Sequence, residues 1–138
     1  MMKIHTTNYF DTFIQAADDC PVASGQVPPL KGKEKSIATI HFELISENPY
    51  QYTSDDILFQ CFALKKSLEE DLKEARNQFF SKGQACLRSS PLTKRYGWGM
   101  HFNHEGKIAL YGKDSDAYKQ FSEDKRLKIT KAMRSKRI

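Results

Sequence analysis

The sequence predicts an α+β domain in which an antiparallel sheet of about four to five strands packs against two to three helices. Residues 95–103 alternate between large and small or polar side chains, as a strand with one buried face does. Segments beginning at Thr53 and at Ser67 each join a capping residue to apolar residues at helical spacing. Strands and helices are interleaved without a regular βαβ rhythm, which favours an α+β arrangement over a parallel one.

Length and composition are those of one globular domain. The 138 residues are 39% hydrophobic, which suffices for one core and excludes a wholly disordered or collagen-like chain. We expect a single α+β domain over residues 1–124. Residues 125–138 form a basic C-terminal segment that either belongs to the same domain or is a tail.

The N-terminal third is predicted to contain two strands and a long loop. Residues 9–17 are rich in aromatic and β-branched types and predict a strand, although their spacing also fits a helix. Residues 20–36 hold three prolines and two glycines and predict a loop. Residues 37–45 alternate between apolar even-numbered positions and mixed odd-numbered positions, which predicts a half-buried strand.

Two helices are predicted next. Short polar side chains and two acids between Thr53 and Asp56 are typical of a helix start. Ser67 and Glu70 have the spacing of a capping box, and apolar residues then recur at helical spacing. Gly83 stands where a glycine commonly ends a helix, so the second helix is expected to run from Ser67 toward Gly83.

The C-terminal half is predicted to begin with a turn at 89–91 and a hairpin. Strand 95–103 is followed by turn residues and a partner strand over 107–112. A short helix is expected over 116–124, and the pattern of 126–133 does not decide between a strand and a frayed helix. The expected apolar face of the first hairpin strand consists of Tyr96, Trp98, Met100 and Phe102.

Gly97 and Gly99 flank Trp98 within the predicted strand. They do not form the GxGxxG pattern of dinucleotide-binding loops. Glycine on a strand face permits close approach by another backbone, a helix or a ligand. We favour close packing over a ligand groove at this place.

The positive charge is concentrated at one end of the chain. The formal net charge is +5, yet seven of the 22 Lys and Arg residues and no acid lie in residues 125–138. The first 124 residues therefore carry 15 basic and 17 acidic residues. The basic segment suggests an arm for nucleic acid or another polyanion, a solvated terminus, or a segment that folds back onto the acidic body.

The stretch 88–98 combines cations, hydroxyls and aromatic rings. Guanidinium groups suit phosphate oxygens, hydroxyls add donors, and an indole can stack on a base or a sugar. This predicts a module that binds an anionic ligand or nucleic acid; the alternative is a polar turn before a core tryptophan. The predicted binding residues are Arg88, Ser89, Ser90, Thr93, Lys94, Arg95, Tyr96 and Trp98, with Arg134, Lys136 and Arg137 of the basic segment.

A small enzyme with an acid–base site is the second hypothesis. His41 and Glu43 share one face of the predicted strand, and His101 and Lys94 are further candidates. The alternative for His41 is a sheet-surface histidine beside a glutamate. No nucleophile–base pair and no phosphate-loop, dinucleotide, zinc or esterase motif is present, so the catalytic residues are unknown and we expect no cofactor and no metal.

The third hypothesis is a protein-interaction module with an exposed aromatic face, or a homodimer. Three widely spaced cysteines without a CxxC motif predict reduced thiols and a cytoplasmic setting. No apolar run approaches the roughly 18 residues that span a bilayer, so we expect no membrane partner.

Several strings are distinctive together, although none is a known catalytic signature. They are HTTNYFDTFI, ADDCP, VPPLKG, FELISENPYQYTSDDILF, SPLTKRYGWGMHFNHEGKIALYG and KAMRSKR. With these strings the chain resembles, nearly end to end, a family of short uncharacterised proteins of bacteria and some fungi that is catalogued as a domain of unknown function. The resemblance implies a stand-alone single domain and nothing about chemistry.

Overall fold

The computed structural model describes residues 5–30, 32–69 and 71–135. Its strands are β1 (Thr12–Gln15), β2 (Trp98–Phe102), β3 (Ile108–Gly112) and β4 (Lys128–Lys131). Its α-helices are α1 (Ile37–Ser46), α2 (Ser54–Lys65), α3 (Leu72–Phe79), α4 (Pro91–Lys94) and α5 (Asp116–Ser122), with a 3₁₀ turn at Leu87–Ser89. The α+β class is confirmed.

The four strands form one sheet in the order β3-β2-β1-β4. β2 is antiparallel to β1 and to β3, but β4 is parallel to β1. The expectation of a purely antiparallel sheet is therefore wrong. The reason is the connection through α5, which packs against β1 and β3 and leads the chain from one edge of the sheet to the other. β4 consequently runs in the direction of β3, as in a parallel crossover. Five helices, counted over the described residues, replace the predicted two to three.

The sheet is covered on both faces. One face carries Ile14, Met100 and Phe102, and these side chains form the main core with residues of α1, α2, α4 and the 3₁₀ turn. The other face carries Phe13, whose ring centroid lies 5.1 Å from that of Tyr118 in α5. Because Phe13 and Ile14 point to opposite faces and are both fully buried, β1 is the centre of the fold.

The predicted strand over 37–45 is wrong, since these residues form helix α1. Ser36 caps the helix with its hydroxyl oxygen, which accepts a hydrogen bond from the Thr39 N–H at 3.2 Å. Ala38, His41 and Ile45 are buried at helical spacing. A short, almost continuous apolar run fits a buried helix as well as a strand, so its alternation was not decisive.

The helix predicted from Thr53 is α2, and its capping box is formed by Thr53 and Asp56. The second predicted helix begins later than expected, at Leu72 behind the cap Asp71. Ser67 has a φ of 52° and ends α2 instead of starting α3. The N–H groups of Ser67 and Leu68 bond the carbonyls of Leu64 and Ala63, which is a Schellman ending. Glu70 lies outside the described residues.

The predicted hairpin is confirmed by the pairing of β2 with β3, and the undecided segment 126–133 contains strand β4. The N-terminal strand is also present, as the shorter β1. The segment before β1 contacts α2, which the sequence did not predict. The Thr7 N–H and the Thr7 hydroxyl each donate a hydrogen bond of 2.7 Å to the Asp55 carboxylate of α2. Over the described residues, no helix has the length and apolar character to cross a membrane.

Gly97, directly before β2, and Gly99, within β2, are sites of close packing. Gly97 has a φ of 76°, and a Cβ there would collide with the Ser24 carbonyl. A Cβ at Gly99 would lie 2.5 Å from Phe13 Cζ and 2.7 Å from Tyr118 Cε2. Glycine thus lets the 22–26 loop and α5 lie directly against β2, which supports the packing interpretation.

Replacing Gly99 with alanine is expected to lower the free energy of unfolding by about 1–3 kcal/mol, because the new methyl group overpacks the space under α5. Gly83→Ala is the matched control, since no heavy atom lies within 4 Å of a Cβ at that position. Urea denaturation of both variants measures the difference. Equal stability of the two variants would contradict close packing at Gly99.

Candidate anion-binding groove

An open groove of about 470 Å³ lies between the first turn of α1 and helix α4. Three cations line it: Lys65 at the end of α2, Lys94 at the end of α4, and Arg95 directly after α4. No carboxylate belongs to its lining as far as the structure describes the chain. The groove is completed by Ser36, Ile37, Ala38, Ser89, Pro91 and Tyr96.

Four of the predicted binding residues lie together in the groove, and the others in the described part of the chain lie outside it. Ser89, Lys94, Arg95 and Tyr96 line the groove. The remaining predicted residues in the described part of the chain do not line it; they are Arg88, Ser90, Thr93, Trp98 and Arg134. Lys136 and Arg137 lie outside the described residues.

Ser90 and Thr93 are buried and support the groove from inside. The Ser90 hydroxyl oxygen accepts the Leu92 N–H at 3.3 Å and so caps α4. The Thr93 hydroxyl lies 3.1 Å from the Ser90 carbonyl, to which it donates. These bonds hold a helix of only four residues, which has little stability of its own.

Arg88 and Trp98 fix other segments. The Arg88 Nε donates to the Lys131 carbonyl at 2.7 Å and so covers part of the outer edge of β4. The Trp98 indole N–H donates to the Gln26 carbonyl at 2.8 Å, and its ring centroid lies 5.5 Å from that of Phe42. Both residues were predicted to bind because they are close along the chain to Ser89, Lys94 and Arg95. In the fold their side chains point away from the groove.

His41 connects the two walls of the groove. Its Nδ1 lies 2.9 Å from the Ser90 hydroxyl oxygen, which joins α1 to α4. Burial lowers the pKa of His41 to about 4, so the ring is neutral at neutral pH. A neutral, hydrogen-bonded imidazole satisfies Ser90 without placing a charge in the core.

The segment after β4 lies at the Ser89 side of the groove. The Met133 N–H donates to the Arg88 carbonyl at 2.9 Å, and the Ser89 hydroxyl donates to the Met133 sulfur at 3.1 Å. Arg134 follows and is exposed. The described part of the basic segment therefore folds against the body and adjoins the groove.

The four groups of the acid–base hypothesis lie at different places. Glu43 points away from His41, because residues two apart on a helix point in different directions. Its carboxylate instead forms an ion pair of 2.7 Å with Lys35. His41 is in the core beside Ser90, and Lys94 lines the groove. His101 lies on the opposite face of the sheet, where its ring stacks on Phe121 at 4.1 Å. The predicted common face of His41 and Glu43 is wrong because their segment is helical.

Tyr50, His101 and Tyr111 form a hydrogen-bonded cluster that sequence analysis missed. The Tyr50 hydroxyl lies 2.8 Å from His101 Nδ1 and 2.8 Å from the Tyr111 hydroxyl. Burial raises the pKa of Tyr50 and lowers the pKa of His101, so both are neutral at neutral pH. The cluster ties the loop after α1 to the hairpin. No local signal predicts it, because the three residues come from separate segments.

A metal site has no support in the described residues, where no three His, Cys, Asp or Glu side chains come together as ligands. The cysteines Cys20, Cys61 and Cys86 are free thiols. The ammonium and guanidinium groups that line the groove offer electrostatic attraction and hydrogen bonding to an anion.

The buried His41 is expected to make the protein less stable in mild acid. Its pKa rises from about 4 when folded to the ordinary 6.5 when unfolded. As the pH falls from 6.5 to about 4, His41 is protonated in the unfolded chain but not in the folded one. The free energy of unfolding therefore falls by about 3 kcal/mol across this range. His41→Asn retains a partner for Ser90 but does not titrate. Urea denaturation across this window should show a smaller loss for the variant; parallel curves would contradict the assignment.

The comparisons with known proteins identify the family of this chain. No curated protein and no solved structure matches the chain. A family model described as "Family of unknown function (DUF6157)" matches residues 4–138, which include the hairpin, the groove and the segment after β4. The family resemblance expected from the sequence is thereby confirmed. This chain belongs to the DUF6157 family, for which no function is given.

Proposed function

We propose that this protein binds a polyanion, and specifically a nucleic-acid strand, in the groove between α1 and α4 and along the basic segment that adjoins it. The observation that carries the proposal is the convergence of Lys65, Lys94 and Arg95 on one groove without a lining carboxylate. A groove lined by one sign of charge concentrates the field and attracts ligands of the opposite sign.

The three groove cations are not neutralised by carboxylates, a property that they share with most of the described Lys and Arg residues. The described cations that do form ion pairs are Lys35, Arg76, Lys107, Arg126 and Lys131. Within the described part of the chain, no ion pair is formed by the three groove cations, and Lys65 donates instead to the Lys35 carbonyl at 3.3 Å. Their charges are therefore available to an external anion.

Tyr96 also suits a nucleic-acid strand, because its half-buried ring is available for base stacking. The Ser36 and Ser89 hydroxyls already donate to Thr39 and to the Met133 sulfur, so the three cations are the groove's contacts for phosphate oxygens. The groove is open to the surface, so an extended nucleic-acid strand can pass along it. Arg134 extends the positive charge beyond Ser89 and favours an extended anion over a single phosphate group.

The other two hypotheses have less support. The acid–base groups do not converge among the described residues, as a catalytic site requires. Among the aromatic side chains of the described chain, Phe10 is the one that is more than a third exposed, which argues against a broad exposed aromatic face. A homodimer stays a prediction from the sequence.

Binding of a fluorescein-labelled single-stranded RNA of about 20 nucleotides, measured by anisotropy, tests the proposal. Lys94→Gln and Arg95→Gln should each weaken binding several-fold, and each should reduce the slope of log Kd against log salt by about 1. Lys119→Gln is the matched control, since it removes one exposed lysine from α5 on the opposite face of the sheet.

Single-stranded DNA and duplex probes of the same length identify the preferred strand. Binding that is absent, insensitive to salt, or equally weakened by Lys119→Gln would contradict a nucleic-acid site in the groove. Deleting residues after Ser135 measures what the last three residues add to the affinity.

A further inference from the structure

Two neighbouring carboxylates contact the end of β4 and the residues that follow it. Asp18 Oδ1 lies 2.7 Å from the Lys131 Nζ, and Asp19 Oδ2 accepts the Ser135 N–H at 2.9 Å. The hydrogen bond from Lys131, with the positive charges of Lys131, Arg134 and Lys113, holds the pKa of Asp18 below its usual range. The acidic body is thus in direct contact with the segment that carries the excess positive charge.

Backbone hydrogen bonds hold the same segment in place independently of Asp18. The Ala132 N–H donates to the Gln15 carbonyl and the Met133 N–H donates to the Arg88 carbonyl, each at 2.9 Å. Ala132 is also buried in the core. The Asp18 side chain is therefore not needed to position β4 or the residues after it, and its effect is to neutralise charge.

We infer that Asp18 is an internal competitor for the polyanion. In the free protein its carboxylate occupies Lys131 and weakens the field of Arg134. Lys131 pairs with Gln15 and so lies on the Phe13 face of the sheet. A polyanion that continues from the groove past Ser89 and Met133 and around the end of β4 reaches Lys131 and replaces this carboxylate with a phosphate. The inference rests on the proposed function and specifies its regulation: the contact between Asp18 and Lys131 lowers the affinity for the polyanion.

The exposure of the pair fits an exchangeable contact. The side chains of Asp18 and Lys131 are 57% and 56% exposed, so water and ions reach both charges. An exposed ion pair of this kind contributes little to stability, and its loss to a phosphate changes affinity by up to about fivefold. A buried pair would resist exchange much more strongly.

A double-mutant cycle with the labelled single-stranded RNA tests the inference in the full-length chain. Asp18→Asn should tighten binding about two- to fivefold. Glu105→Gln is the matched control, because Glu105 is equally exposed and also faces a lysine, but lies in the β2–β3 turn. The gain from Asp18→Asn should disappear when Lys131→Gln is added, since the competed cation is then absent.

The outcomes separate this inference from the proposed function. If the unmodified protein binds RNA through the groove but Asp18→Asn and Glu105→Gln act alike, the inference is overturned and the proposed function stands. A gain that persists with Lys131→Gln also overturns it, because it then reflects net charge alone. If no variant binds RNA, both fail. Asp18→Ser serves in place of Asp18→Asn if urea denaturation shows that the latter is unfolded.

Discussion

The hydrogen bond between His41 Nδ1 and the Ser90 hydroxyl is the contact on which the candidate groove depends. One wall of the groove is the start of α1, and the other is α4, which spans four residues and is stable only through its tertiary contacts. Ser90 caps α4 and His41 fixes that cap to α1. Both residues are buried, so breaking the bond would leave a polar group in the core without its partner. The positions of Lys94 and Arg95 follow from this contact.

The net charge of +5 does not describe where the positive charge of the folded chain lies. The basic segment does not extend from a slightly acidic body as a separate arm where it is described; it pairs with β1 and with Asp18. The contact with Asp18 neutralises Lys131, whereas Lys94 and Arg95 of the groove form no ion pair among the described residues. Under the proposed function, an external polyanion competes with the Asp18 carboxylate for Lys131.

Local signals predicted the hairpin and α2, because turn residues and the Thr53–Asp56 capping box act within a few residues. The helix over residues 37–45 was missed because the apolar residues there fit both the helical and the strand period. The parallel pairing of β4 and the Tyr50–His101 bond depend on contacts between distant segments, which no spacing in the sequence encodes. Of the residues that line the groove, Ser89, Lys94, Arg95 and Tyr96 were predicted as binding residues. Lys65 and the start of α1 were missed, because they are distant along the chain and meet α4 only in the fold.

Amide chemical-shift mapping during titration with single-stranded RNA tests the central claim most directly. The account predicts that perturbed amides cluster at Ser36–Ala38, Ser89, Lys94–Tyr96 and Met133–Ser135. These residues are separated along the chain and adjacent only in the fold. Perturbations centred on α5 or on the α2–α3 surface, with the groove unchanged, would contradict it.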